Sequence, residues 1–104
     1  MFAENADLTK IWLTGTADRQ ALTPEERWRF DSTMRAYMHV VETMYIQAGL
    51  GTGDKSVLLA EEEDIKVVFA APGTRDWWAE NPYGFCPEFR AYVARLARSA
   101  EAAP

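Results

Sequence analysis

The sequence holds a single cysteine and a single histidine among 104 residues. Cys86 alone cannot close an intrachain disulfide, so the fold must be held without one, and a reducing compartment, most simply the cytoplasm, is the expected setting. His39 alone cannot complete a helical-bundle di-iron site, which draws a Glu-x-x-His pair from each of two helices. No apolar run approaches the ~20 residues that cross a bilayer, and the N-terminus has neither the basic start nor the apolar stretch of a secretory leader. This chain is therefore not expected to insert into a membrane. Basic residues are also scarce: 11 Lys and Arg stand against 16 Asp and Glu, scattered along the chain, for a formal charge of -5. Neutralising phosphates takes a basic stripe, so nucleic acid is not an expected partner, and neither is an anionic membrane surface. The run of Gly49, Gly51 and Gly53 lacks both the preceding strand and the GK[ST] ending of a phosphate loop. There is no cysteine pair for zinc, no nucleophile elbow around a serine, no alternating strand pattern and no internal repeat.

What is abundant is aromatic and helical. Four Trp, five Phe and four Tyr, within 48% hydrophobic residues, suffice for one core. The expected fold is all-α, a single domain over 1–104 of four or five helices, bundled around one long central helix at about 23–49. Thr23, Pro24 and Glu26 read as N-cap, first-turn proline and capping-box glutamate. Phe30, Met34, Tyr37, Val41, Met44 and Ala48 then recur at steps of four and three, widened by Met38 and Tyr45. An earlier helix over about 3–14 carries Leu8, Ile11 and Trp12, with Gly15 placed to end it as a left-handed cap, and a polar turn through Asp18, Arg19 and Gln20 follows. A third helix starts at Asp54 and runs to about Ala71, with Val57, Leu58, Ile65, Val68 and Phe69 inward and an acidic patch at Glu61 to Asp64. Pro72 and Gly73 stop it. A short helix holds Arg75, Trp77 and Trp78, and a last one runs from Cys86 and Pro87 to about Ala100 with Phe89, Tyr92, Val93 and Leu96 inward. The second and third helices should pair antiparallel with the last packed across them. The tail after about residue 99 is expected to be disordered.

The order of these motifs resembles an uncharacterised bacterial family of small helical proteins, a domain of unknown function in which a transmembrane helix near the N-terminus is often followed by a cytoplasmic helical domain. The resemblance is carried by Trp12 with Gly15; Leu22, Thr23, Pro24, Glu25, Glu26, Arg27 and Phe30; Glu42, Tyr45, Gln47 and Gly49; Pro72, Gly73, Arg75, Trp77 and Trp78; and Phe85, Pro87, Glu88, Phe89, Arg90 and Tyr92. Two departures stand out: the membrane helix is missing, and Cys86 occupies the place of a serine cap. The resemblance implies a soluble member of the family or, for a fragment, the cytoplasmic part of a membrane-anchored protein. It implies no activity, so no catalytic residue is carried over.

Among candidate sites, Glu42 draws most interest, because it lies between Met38 and Tyr45 on the border of the buried stripe and a carboxylate there needs a partner. Arg75 or the indole of Trp77 or Trp78 could supply one. Two readings follow: an aromatic ligand pocket formed by Glu42, Tyr45, Arg75 and Trp78, or a structural contact clipping the Trp segment to the long helix. His39 and Glu42 are three apart and could share a metal ion with carboxylates from Glu61 to Asp64, but the histidine count argues for a solvated face and no metal. Cys86 at a helix start could be an activated thiol or a small hydrophobe. Trp77 and Trp78 point about 100° apart, so an exposed one beside Tyr83 and Phe85 would serve as an interaction anchor, with an internal aromatic cluster as the alternative. The leading expectation is a non-enzymatic binding or interaction module without cofactor. Its partner is a second copy of itself, met through an aromatic or Met-rich face, or another protein. The second expectation is a small-molecule sensor using the Glu42 pocket.

Overall fold

Thr23 begins the longest element. Its hydroxyl accepts from the Glu26 amide at 3.2 Å while the Glu26 carboxylate accepts from the Thr23 amide at 2.9 Å, so donors orphaned by a helix start are satisfied reciprocally. The computed structural model describes residues 2–102, with side chains from 6 to 100. Along the chain run α1 (Phe2–Ala17), a 3-10 turn (Arg19–Ala21), α2 (Pro24–Leu50), α3 (Lys55–Ala70), α4 (Pro72–Glu80) and α5 (Pro87–Ala102). There is no strand among the described residues. The protein is all-α. Its 27-residue α2, at ~1.5 Å per residue, matches the 40 Å long dimension of the molecule. Gly51, with φ of 75°, ends α2 in the left-handed conformation that favours glycine, and Asp54 restarts the helix by accepting from the Ser56 amide at 2.8 Å.

The core forms along the stripe of α2. Phe30, Met34, Met38 and Val41 are wholly buried against Ile65 and Phe69 of α3, Trp77 of α4 and Phe89 and Val93 of α5. Met34 and Met38 of this stripe therefore lie inside the molecule. α3 doubles back along α2, and α5 packs on both, making its most extensive contact with α3. Val57 is exposed where the sequence suggested burial, because the inward face of α3 runs through Leu58, Ile65 and Phe69 and a residue one step away is turned by about 100°. α5 continues as helix to Ala102; the rest of the tail expected to lack order lies outside the described residues.

Gly15 does not end α1. It lies inside the helix at a close crossing: a side chain there would run into the Phe30 ring, and one at Gly73 would land on the Gly15 carbonyl oxygen. The two glycines let α1 and α4 touch backbone to backbone, which fixes α4 against α1. No helix among the described residues is long and apolar enough to cross a membrane.

Candidate functional site

Glu42 is 15% exposed, and its Oε2 accepts the Cys86 backbone N–H at 2.8 Å. Cys86 stands directly before α5. Its thiol is a weak acceptor and Pro87 has no N–H, so the start of α5 has little capping chemistry of its own. Glu42, 44 residues away on α2, supplies it and places a carboxylate at the positive end of the helix. Its Oε1 lies 3.4 Å from Nδ1 of His39, which in turn stacks on Phe85 with centroids 4.4 Å apart. One turn earlier, Arg35 donates to the carbonyls of Tyr83 at 2.8 Å and Asn81 at 3.2 Å, its guanidinium 4.7 Å from the Tyr83 ring centroid. Arg35, His39 and Glu42 share one face of α2. Together they grip the connection from 81 to 86 along its length.

The four residues expected around a ligand are not gathered into one pocket. Tyr45 packs on Phe89 and Tyr92 of α5, with centroids 5.7 and 4.6 Å away. Trp78 is half-buried among Phe69, Trp77 and Phe85. Nη1 of Arg75 donates to the carbonyls of Phe69 and Ala70, at 3.1 and 3.0 Å, where a cation meets the negative end of α3. The partners that Glu42 finds are a backbone amide and His39, while the buried Nε1 of Trp77 has no hydrogen-bond partner.

Two of the expected interaction anchors are core residues. Trp77 is wholly buried because its direction on α4 faces α2, and Phe85 is turned inward after Gly84, whose φ is 85°. Tyr83 is the exposed one, at 62%, lying under Arg35. Its hydroxyl donates to the Asn81 side chain at 3.0 Å.

Beside this clamp, the end of α2, the first turns of α3 and the start of α5 enclose an open groove of about 580 Å³. Tyr45, Leu58 and Cys86 form part of its wall, and Ile46, Leu50 and Leu59 line it while remaining exposed. Lys55 and Glu88 are the only charged groups lining it. No family model, no curated protein and no solved structure matches this chain. The groove has to be read from its own chemistry.

Gly49 belongs to its wall. A side chain built there meets nothing within 4 Å, whereas each of the other five glycines has a positive φ or a neighbour in the way. Glycine near the end of a helix costs up to about 1 kcal/mol against alanine. Nothing inside the fold requires it at this position.

A second polar centre had no signature in the sequence. Arg19, 5% exposed, donates from Nε and Nη2 to the two Asp31 oxygens at 2.9 and 2.8 Å, and from Nη1 to Glu80 at 2.8 Å and Asp76 at 3.4 Å. The Asp31 bond above all holds its proton more tightly than usual. Its partners are 12, 57 and 61 residues away, so the polar turn gave no hint of them. The acidic patch of α3 is also engaged: Tyr37 donates to Glu61 at 2.8 Å and Tyr92 to Glu62 at 2.7 Å. Burial first, and these bonds second, push both phenols above the ordinary tyrosine range. Among the described residues no three His, Cys, Asp or Glu side chains are grouped to hold a metal ion.

Proposed function

We propose that the protein is a non-enzymatic binding module whose working surface is the groove between α2, α3 and α5, occupied by a second copy of itself or by another protein. The observation that carries this reading is Gly49. A residue that weakens its helix, with an ordinary backbone and open space above it, is accounted for if something must come close to α2 at that point. Three exposed apolar residues, Ile46, Leu50 and Leu59, line this groove and support the same reading. Beside the groove, Glu42 is bonded at the start of α5 and His39 is stacked on Phe85, while Lys55 and Glu88 are charged groups that line it. A cytoplasmic setting fits the single thiol. The likeness to the small helical bacterial family belongs to this proposal and brings a setting without an activity.

The small-molecule reading keeps one observation in its favour: Tyr45 lines the groove, and so does Cys86, the residue whose amide Glu42 holds. One experiment addresses both occupants. Cys86 is the only thiol, so an environment-sensitive fluorophore placed on it reports occupation of the groove. The labelled protein is titrated with an amphipathic helical peptide, a long-chain fatty acid and unlabelled protein. The binding reading expects a saturable response that Gly49→Leu abolishes while raising the melting temperature. Silence towards all three, or an equal response in Gly49→Leu, overturns it.

A further inference from the structure

The groove is self-complementary, and we infer that it is the contact of a symmetric dimer in which Leu50 of each chain fills the groove of the other. The inference rests on the reading of the groove as a binding surface and names its occupant. Two features of the groove select a second copy, and a third is a condition it meets.

The first is shape. The same small area carries both a hollow, over Gly49, and a projection, Leu50, which is 72% exposed at the last turn of α2. A two-fold axis beside Gly49 brings each projection to the other chain's hollow, the isologous arrangement that closes a dimer. The missing side chain at Gly49 is what leaves the incoming Leu50 room.

The second is charge. Lys55 on α3 and Glu88 on α5 line the groove, both are exposed, and among the described residues neither side chain makes an ion pair or hydrogen bond. A two-fold axis that sets Lys55 of one chain against Glu88 of the other forms that pair twice over. An anionic ligand would match only the lysine and a cationic one only the glutamate, whereas a second copy matches both.

The third is the overall charge of -5 on each chain, which makes two copies repel at long range. A docking surface between them must therefore be locally balanced. This groove is, with one charge of each sign.

Sedimentation equilibrium over a wide concentration range, with charge-reversal variants, tests the assignment. Wild type should show a reversible monomer–dimer equilibrium. Lys55→Glu alone and Glu88→Lys alone should each dissociate it roughly thirtyfold more readily, since two rim pairs turn from attraction to repulsion. Mixing the two single variants in equal amounts should restore assembly, because both pairs are then opposite in sign. Gly49→Leu should be monomeric and more heat-stable than wild type. A monomer at every concentration overturns the dimer, as does a dimer that survives Gly49→Leu or is not restored by mixing. The groove itself is judged separately: if the Cys86 label still answers to the helical peptide in a monomeric protein, the binding module stands and the second copy falls.

Discussion

Replacing Glu42 separates its hydrogen bond from its charge. Glu42→Ala removes the acceptor of the Cys86 amide at 2.8 Å and the negative charge at the start of α5. A charge-assisted hydrogen bond contributes about 1.5–3 kcal/mol. With the side chain 15% exposed, water reaches the freed amide only in part, so the middle of that range, about 2 kcal/mol, is the right figure. The helix dipole adds roughly 0.5 kcal/mol. Glu42→Gln keeps an oxygen facing the amide and loses only the charge, for about 0.5–1 kcal/mol. In a domain of this size each kcal/mol moves the melting midpoint by about 4–8 °C, so the alanine variant should melt roughly 10–20 °C lower and the glutamine variant about 3–6 °C lower. Circular dichroism melts give both numbers, and hydrogen exchange at the Cys86 amide shows where the loss falls: it should accelerate strongly in Glu42→Ala and little in Glu42→Gln. Equal melting points for the two variants would refute the reasoning, because the hydrogen bond would then contribute nothing beyond the charge.

Arg19→Met keeps the buried stem but leaves Asp31, Asp76 and Glu80 facing one another, and should cost about 2–4 kcal/mol in urea unfolding, below the full price of a deeply buried pair because two of the carboxylates reach water. A loss under about 1 kcal/mol, or strict additivity with Asp31→Leu, would show that the ion cluster is ornamental. Tyr37 and Tyr92 have raised pKa values, so the stability they contribute is complete below the unfolded tyrosine value of about 10 and declines as pH rises beyond it. Urea stability should therefore fall as the pH rises above about 10, and the double variant Tyr37→Phe/Tyr92→Phe should lose most of that slope; an unchanged slope contradicts the assignment. Gly73→Ala places a carbon on the Gly15 carbonyl, a backbone atom that cannot rotate away, and should destabilise by at least about 2 kcal/mol, whereas Gly49→Ala should gain about 0.5 kcal/mol. Thermal melts that ranked the two the other way would contradict the crossing of α1 and α4.

Element boundaries were legible where one residue type has one local meaning. The Thr23 capping box, Asp54 and Pro87 start helices for reasons contained within four residues, and the structure uses all of them, whereas Pro72, read only as the stop of α3, also opens α4. Gly15 was misread because glycine both ends helices and permits close crossings, and which applies depends on Phe30 and Gly73, far along the chain. The buried stripe of α2 was readable from its spacing, whereas the burial of Trp77 and Phe85 depended on how α4 and its following turn are oriented against α2. Glu42 was correctly placed on the border of the stripe and given the wrong partners, since a search among side chains overlooks a backbone amide. The groove left one trace, Gly49, hidden within a run of glycines that otherwise reads as a turn.

The bond from Glu42 to Cys86 also constrains position 42 in inheritance. A serine at position 86 would carry a hydroxyl able to accept from the amides of Glu88 or Phe89, donors that Glu42 does not reach. The two acceptors would serve different amides, so a serine at 86 adds to the bond from Glu42 and does not replace it. Position 42 therefore stays tied to the backbone at 86, 44 residues away, whichever side chain stands there.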